Sequence, residues 1–487
     1  MTLSIRHMSG WVAALLTGVL FALSLDVGPV GPLALVAPVP ILLFALRADR
    51  ASPVALWAFV ARIIGAAAFV FVYAGQLPAP VMMSALLIYG IEFTVVVLIT
   101  RLAGRQLPAW LGVFSYPVLT TACEYLLEMN SPHGTYGALG YSMTELLPLT
   151  QLASLGGVAA LTFMASLVPM AIALWIVRSQ QWRTIAIAAA SPWLAAITFG
   201  LWRLSLPYEG EAHVALGALD GLTMQAVVDE QHADDVARQY AQLIRQMGND
   251  VSARPLTLVL PEKAFAYRID WGMNGIATLQ QAADKSGITV VAGFNEEIEP
   301  GKYANTARVF SPHIDQLRYL KHKLIPGLES QFVSGKETLI GGAGGVVVCK
   351  DMDFPALLRE YGSETPLMLV PAWDFHADGK LHSRMAVLRG IENGFAVARS
   401  AAMGRQTISD AFGRIVAERI TDASNASTLD ATIGLVSVHT FYTRAGDVFA
   451  WFTVAGAVMI VFAVTRNWYR KRANAMAPDH TASRAIS

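Results

Sequence analysis

Residues 344–355 read GGVVVCKDMDFP, an apolar run that ends on a cysteine and continues into charged residues. The glycines and valines predict a buried β-strand, because short runs rich in β-branched residues favour that structure. Pro355 suits the first turn of a helix, where its missing N–H is not needed. The stretch therefore predicts a strand-to-helix turn of an α/β domain, with Cys349 as the last residue of the strand.

Cys349 is a candidate nucleophile. A thiol at such a turn lies near backbone N–H groups that favour the thiolate. The alternative interpretation is that Cys349 is a small buried hydrophobe. The polar sequence KDMD that follows predicts partial exposure, so we favour the nucleophile. Lys350 adds a cation that would lower the thiol pKa.

A thiol nucleophile needs a proton acceptor and a group that stabilises an oxyanion. Glu262 follows the apolar run LTLVLP, and Lys321 lies close to another predicted strand end. Strand ends at one edge of a sheet converge, so these two side chains could meet Cys349. A Cys–His pair is the competing arrangement, with the candidates His322, His376, His382 and His439. Spacing alone does not choose between the two.

The composition predicts a membrane protein. Of the 487 residues, 54% are hydrophobic and 15% are charged, whereas soluble domains carry about 25% charged residues. The formal net charge of +0 gives no reason for a nucleic-acid partner. The only cysteines, Cys123 and Cys349, lie far apart, which excludes a disulfide framework, and no Cys/His cluster has zinc-ligand spacing.

Apolar segments predict about eight membrane spans. They lie near 11–25, 32–46, 54–74, 79–100, 108–127, 150–177, 184–202 and 447–465. Several approach the roughly 20 residues that cross a bilayer, and the first two are short. We expect a membrane domain with seven spans over 1–207, and a last span with a cytoplasmic tail over 446–487.

Basic residues mark every second loop, which is typical of cytoplasmic loops. They are Arg6, Arg47, Arg50, Arg101, Arg105, Arg178, Arg183, Arg466, Arg470, Lys471 and Arg472. The alternate loops carry Asp26, Gln76 and EMNSPHGTYG (128–137), with no Lys or Arg. Both termini are therefore predicted to be cytoplasmic and the segment after the seventh span extracytoplasmic.

Charged residues within the spans indicate either function or a buried structural network. They are Arg62, Glu92 and Glu124. Between 208 and 445 short β-rich runs alternate with amphipathic helical stretches, which predicts an α/β domain with a mixed sheet.

The motifs around the three candidate residues resemble nitrilase-type carbon–nitrogen hydrolases. Glu262 in LVLPEKAF, Lys321 in YLKHKLIP and Cys349 in VVVCKDMDFP match the Glu–Lys–Cys triad of that superfamily, and so do YANTARVF (303–310), the series 371–404 and DAFGRI (410–415). CEYLLE followed by GALGYS, the run LPLTQLASLGGVAALTF and TFYTRAGD are similar to the membrane-bound family within it, the apolipoprotein N-acyltransferases.

This resemblance implies an extracytoplasmic α-β-β-α sandwich beside the helices and a two-step acyl exchange. Cys349 would take an acyl chain from a membrane phospholipid as a thioester and pass it to the N-terminal amine of a diacylglyceryl lipoprotein. Glu262 would be the general base, and Lys321 would stabilise the oxyanion. Glu329, Lys350, Asp351 and Trp373 are expected to support the site or bind substrate.

The resemblance further implies no metal or organic cofactor, a monomer, and a place in the bacterial inner membrane. The chain departs from the family pattern at Lys350-Asp351, where an aromatic residue and Glu are usual, and at Gly327-Leu328 before Glu329. Two alternatives stay open, a membrane-tethered amidase or nitrilase and a transporter or scaffold that only binds lipid.

Overall fold

The computed structural model describes residues 8–25, 28, 30–75, 77–221, 229–250, 256–314, 316–422, 424–436 and 439–476. The loop residues Arg6, Asp26 and Gln76, the side chains of Lys471 and Arg472, and the tail after 476 lie outside the described residues.

Apolar helices occupy the first part of the chain. They are α1 (Gly10–Ser24), α2 (Val39–Arg47), α3 (Ala51–Gly65), α4 (Ala67–Tyr73), α5 (Ala79–Gln106), α6 (Ala109–Gly112), α7 (Ser115–Glu128), α8 (Leu147–Thr150), α9 (Ala153–Val177) and α10 (Trp182–Leu204). Large apolar side chains point outward from them, such as Ile187 and Leu194, which are 70% and 69% exposed. An outward apolar surface of this kind is what lipid would cover.

Five helices in the described residues are long and apolar enough to cross a membrane. They are Ala51–Tyr73, Ala79–Gln106, Ala153–Val177, Ser179–Leu204 and Val448–Arg470. The first two predicted spans form shorter helices, Gly10–Ser24 and Gly31–Arg47. The predicted span 108–127 is divided into α6 and α7. The count of eight spans therefore stays a prediction.

The later part of the chain forms two β-sheets. The strands are β1 (Gly210–Ala218), β2 (Leu256–Val259), β3 (Phe265–Tyr267), β4 (Thr289–Glu299), β5 (Lys302–Phe310), β6 (Leu317–Leu320), β7 (Leu339–Gly341), β8 (Gly344–Val346), β9 (Leu367–Trp373), β10 (Ala396–Ala402), β11 (Arg405–Ser409), β12 (Ile415–Ile420) and β13 (Ser427–Leu435). The helices are α11 (Glu230–Asp250), α12 (Met273–Ser286), α13 (Pro355–Arg359), α14 (Gly379–Asn393), α15 (Phe441–Ala445) and α16 (Val448–Met476).

Each sheet mixes parallel and antiparallel strands, as predicted. The first has the order β13-β1-β2-β4-β5-β6, with β3 paired to β4, and the second has the order β12-β11-β10-β9-β8-β7. In the first sheet the strands β1, β2 and β4 are parallel to one another. In the second sheet the strands β8, β9 and β10 are parallel to one another. This arrangement brings the ends of β2, β8 and β9 towards one another.

Four layers build this domain. Apolar residues of the two sheets, such as Leu216 and Leu369, pack against each other in one core. A second core lies between the first sheet and the helices α11 and α12. On the outer side of the second sheet, Ala386 of α14 packs inward, while Met385 and Leu388 join the core of the membrane helices. The helix α14 is thus shared between the α/β domain and the helical part.

The loop 129–137 between α7 and the 3-10 helix Leu139–Met143 packs on the turn that carries Cys349. Thr135 donates two hydrogen bonds to the Asp353 carbonyl, from its N–H at 3.0 Å and its hydroxyl at 2.9 Å. Gly134 has a φ of +57°, and a Cβ there would clash with the same carbonyl. A glycine is therefore needed where the loop meets the turn.

Candidate active site

Cys349 begins a 3-10 helix, Cys349–Asp353, three residues after β8 ends. The prediction that it is the last strand residue is therefore wrong, while the predicted start of a helix at Pro355 is confirmed. Its φ is +43°, a left-handed value that is unusual for a residue with a side chain. Its thiol donates to the Trp373 carbonyl at 3.4 Å.

Cys349 is more buried than its polar neighbours predict. Only 7% of it is exposed, and Lys350, Asp351 and Asp353 are buried as well. The prediction of partial exposure is wrong because the loop 129–137, distant in sequence, covers the turn.

Asp351 holds the turn from within. Its carboxylate accepts from the N–H groups of Val348, His322 and Lys323, at 3.1, 3.1 and 2.7 Å, and from the Tyr319 hydroxyl at 2.8 Å. Burial raises the pKa of Asp351 to about 6. A carboxylate with these four donors is part of the scaffold of the turn.

Glu262 and Lys321 meet in a buried cluster of charges. The Lys321 ammonium donates to Glu262 Oε1 at 2.8 Å and to Glu329 Oε2 at 2.9 Å. The Asn305 amide bridges the same two carboxylates, at 2.6 Å to Glu262 and 2.7 Å to Glu329. The structure thus brings Glu262 and Lys321, which were predicted from separate strand ends, together with Glu329.

The two sheets meet at Glu262. It follows β2, and its backbone N–H donates to the Ala372 carbonyl of β9 at 3.2 Å. The next residue of β9, Trp373, accepts from the thiol of Cys349. Two consecutive residues of β9 therefore position Glu262 and Cys349.

Lys263 is a member of the cluster that the sequence analysis did not single out. Its ammonium donates to Glu329 and lies 4.9 Å from the centre of the Phe332 ring. Its φ of +52° directs the chain sharply after Glu262. The sequence does contain a signal for Lys263, because a second charged residue directly after a candidate base is unusual at a buried strand end.

The charges of the cluster support one another. Burial alone would lower the pKa of the Lys321 ammonium, but Glu262 and Glu329 outweigh it and raise that pKa. Burial would likewise raise the pKa of Glu329, but Lys321 and Lys263 hold it at about 2. At neutral pH Lys321 is therefore a cation and Glu329 an anion.

The resting thiol is protonated. Burial raises the pKa of Cys349 well above its ordinary value, and the Glu262 carboxylate raises it further, against the opposite effect of Lys321. The expectation of a lowered thiol pKa beside Lys350 is therefore wrong. The Lys350 ammonium lies against Asp353 Oδ2, at 3.4 Å. A base must accept the thiol proton before the sulfur can attack.

His382 is the candidate base of the Cys–His arrangement that lines the same cavity as Cys349. Its Nδ1 lies 3.7 Å from Asp353 Oδ1, and its Nε2 lies 3.4 Å from Asp378 Oδ2. Burial would lower the pKa of His382, but the two aspartates raise it to about 10. A histidine that is protonated at neutral pH accepts no proton, so His382 does not suit the role of base for the thiol.

A cavity of about 160 Å³ reaches Cys349, and its lining includes Trp373 and Lys350. A second cavity, of about 430 Å³, lies among helices α1, α3, α5 and α7. Arg62 and Ala85 line both, so the two cavities adjoin. An apolar space inside the helical part thus leads to the thiol.

The comparisons with known proteins cover both parts of the chain. Residues 17–171 match the family model of the apolipoprotein N-acyltransferase N-terminal domain, and residues 265–441 match the carbon-nitrogen hydrolase model. An apolipoprotein N-acyltransferase of Geobacter metallireducens is 27% identical, over 92% of this chain and 94% of the relative. Another, of Bradyrhizobium diazoefficiens, is 26% identical over 70% of this chain and 71% of the relative.

The chain belongs to the apolipoprotein N-acyltransferase family.

Solved carbon–nitrogen hydrolases resemble part of this apolipoprotein N-acyltransferase family member. An amidase from Nesterenkonia sp. is 20% identical with a TM-score of 0.38, over 46% of this chain and 90% of that chain. A carbon-nitrogen hydrolase from Helicobacter pylori G27 is 15% identical with a TM-score of 0.40, over 48% of this chain and 93% of that chain.

The charges inside the helical part of this acyltransferase-family chain differ in environment. Glu124 accepts from the Leu139 N–H at 2.8 Å and from the Thr162 hydroxyl, so it fixes the chain after α7. The Arg62 guanidinium lies 5.9 Å and 5.1 Å from the ring centres of Phe21 and Tyr89. Glu92 lines the larger cavity together with Arg62.

Proposed function

We propose that this chain transfers a fatty acyl group from a membrane phospholipid, through a thioester on Cys349, to the N-terminal amine of a diacylglyceryl lipoprotein. The observation that supports it most is the position of Cys349, at the meeting point of the Glu262–Lys321–Glu329 cluster and an apolar cavity that continues among the membrane helices. A lipid ester needs both a polar catalytic group and an apolar space for its chain.

In the first step, Glu262 accepts the thiol proton and the sulfur forms a bond to the ester carbonyl carbon. The negative charge that develops on the carbonyl oxygen is stabilised by the Lys321 ammonium. As the carbonyl re-forms, the carbon–oxygen bond to glycerol breaks, and the departing alkoxide takes the proton from Glu262. The products are a thioester on Cys349 and a lysophospholipid.

In the second step, the acceptor amine attacks the thioester carbonyl carbon and loses its proton to Glu262. The carbon–sulfur bond breaks, the amide forms, and the thiolate regains the proton. The raised pKa of the thiol suits this cycle, since the sulfur is stored as a thiol and is ionised only when Glu262 acts. Glu329, Lys263 and Asn305 hold Lys321 and Glu262 in place.

We also propose the arrangement of the chain in the membrane. A membrane domain over 1–207, a catalytic domain over 208–445 and a last span with its tail over 446–487 would place the catalytic domain on the periplasmic side of the inner membrane and both termini in the cytoplasm. The alternating basic loops support this orientation. The proposed active unit is a monomer without a cofactor.

The test is a two-substrate assay with the purified chain. A phospholipid labelled in its acyl chain is supplied with a diacylated lipopeptide that carries a free N-terminal amine. Transfer predicts label in an amide of the lipopeptide. Label that appears only as free fatty acid would instead indicate a hydrolase, and label that never leaves the phospholipid would indicate a lipid-binding protein.

A further inference from the structure

Lys350 places a buried cation in the wall of the cavity that reaches Cys349. Its ammonium lies 3.3 Å from His133 Nδ1 and 3.4 Å from Asp353 Oδ2. Its side chain is only 8% exposed. Lysine is rarely buried without a role for its charge, and both contacts are long for hydrogen bonds.

Lys350 and His133 both offer hydrogen-bond donors. An ammonium has three N–H groups, and the contacts with His133 and Asp353 use two of them. Burial, together with the Lys350 charge, lowers the pKa of His133 to about 4, so its ring is neutral. When Nδ1 accepts from Lys350, the ring proton lies on Nε2, which becomes the second donor.

The ionisable groups that line this cavity favour an anion. The cations are Lys350, His382 and Arg62, and the carboxylates are Asp353 and Asp378. Among the described residues the cations therefore outnumber the carboxylates by one. Within that same part of the chain, Arg62 Nη1 is buried and has no hydrogen-bond partner.

We propose that Lys350 and His133 bind the phosphate oxyanion of the acyl donor and so select phosphorylated lipids over other esters. The inference rests on the proposed acyl transfer and adds the group by which the donor is recognised. Lys350 and Cys349 line the same cavity, so a phosphate held by the ammonium would lie in the same space as an ester carbonyl at the thiol. A charge-assisted bond to phosphate is strong in a buried site.

The experiment compares two donors with the same acyl chain, a glycerophospholipid and a diacylglycerol that lacks phosphate. The rate of acylation of Cys349 is measured by intact mass spectrometry, on the full chain in detergent micelles and at low donor concentration. Lys350→Met is expected to lower the phospholipid-to-diacylglycerol rate ratio roughly ten- to hundredfold, the effect of losing one hydrogen bond to a charged group. Lys350→Arg should restore most of the ratio.

Lys323→Met is the matched control. Lys323 and Lys350 lie over the same Phe354 ring, at 4.8 and 5.8 Å, but Lys323 lines a different cavity. The control should keep the donor ratio of the unchanged chain. A Lys350→Met ratio equal to that of the control would overturn the proposal. A chain acylated by diacylglycerol but never by phospholipid would instead contradict the proposed function itself.

A competition arm identifies the source of the phosphate. Inorganic phosphate is added at increasing concentration to the phospholipid reaction. Inhibition that disappears in Lys350→Met would show that the site binds the free anion as well. Phospholipid preference without such inhibition would show that it binds phosphate only as part of a lipid headgroup.

Discussion

The thiol of Cys349 is buried beside a carboxylate, and this neighbourhood determines its reactivity. The thiolate is the form that alkylating reagents attack. Because burial and Glu262 raise the thiol pKa, we expect alkylation by iodoacetamide to rise about tenfold per pH unit between about pH 7 and 9, without a plateau. The measurement uses a Cys123→Ala background, which leaves Cys349 as the single cysteine.

For Glu262→Gln the same argument predicts a change in the opposite direction, a lower thiol pKa and faster alkylation. Removing the carboxylate lowers the thiol pKa, so this variant should be alkylated faster than the parent at the same pH while it loses acyl transfer. An unchanged or slower alkylation would contradict the electrostatic account of the resting thiol.

Lys263 tests whether the second glutamate depends on both lysines. Lys263→Met removes one of two cations from the buried Glu329 carboxylate. Because a buried charge that loses a partner is costly, we expect a loss of about 1–3 kcal/mol in unfolding free energy. The control is Lys302→Met, which breaks an exposed pair with Glu299 and should cost less than about 1 kcal/mol. Equal effects of the two substitutions would show that the Lys263 pair is not a significant support.

At the scale of elements, His382 connects α14 with the helical part. It lies between Asp353 and Asp378, and Asp378 accepts from the Tyr73 hydroxyl at the end of α4 at 2.6 Å. The folded-state pKa of His382 is raised from about 6.5 to about 10. Its stabilising effect is therefore complete below pH 6.5 and is lost as pH rises towards 10.

The prediction concerns the pH dependence of that contribution. The difference in melting temperature between the parent and His382→Gln should be largest below about pH 6.5 and should shrink as the pH rises towards 10. The measurement is thermal unfolding in detergent at several pH values. A difference that does not change with pH would mean that the charge of His382 does not stabilise this junction.

The limits of prediction from sequence are also clearest at this scale. The strand before Cys349, the helix at Pro355 and the mixed sheets follow from local patterns, which are present within a few residues. The burial of Cys349 and the roles of His133 and Asp353 depend on the loop 129–137, which lies more than 200 residues away in sequence. No pattern within a few residues of Cys349 predicts the contact between this loop and the turn.

For the charged cluster, matches to a known family motif predicted the contacts between side chains better than closeness to Cys349 in the sequence did. Glu262 and Lys321 were expected to act together because they match a known triad, and Glu329 was expected to support that site. The structure brings both glutamates within hydrogen-bond distance of Lys321. The roles assigned to them stay predictions. Asp351 and Lys350 were grouped together as neighbours of Cys349, but they face different surroundings, a scaffold for Asp351 and a cavity wall for Lys350.

At the scale of the whole molecule, two adjoining cavities connect the membrane helices with the thiol. Ala85 of α5 lines both cavities. Ala85→Trp should narrow the passage and slow acylation of Cys349 by long-chain phospholipids about tenfold or more, with a smaller effect on short-chain donors. Acylation rates over a series of chain lengths provide the measurement.

Ile187→Trp is the control for this passage, because Ile187 points outward from α10 and is largely exposed. It should leave the dependence on chain length as in the parent. If Ala85→Trp slows donors of all lengths equally, the acyl chain does not occupy these cavities.

The most direct test of the account is the mass of the intact protein after it is mixed with phospholipid in the absence of an acceptor. The account predicts a mass increase equal to one acyl group, located on Cys349 after digestion, lost on addition of a diacylated lipopeptide and never formed by Cys349→Ala. A parent protein that turns over phospholipid without this adduct, or that forms it equally in Cys349→Ala, would contradict the thioester mechanism.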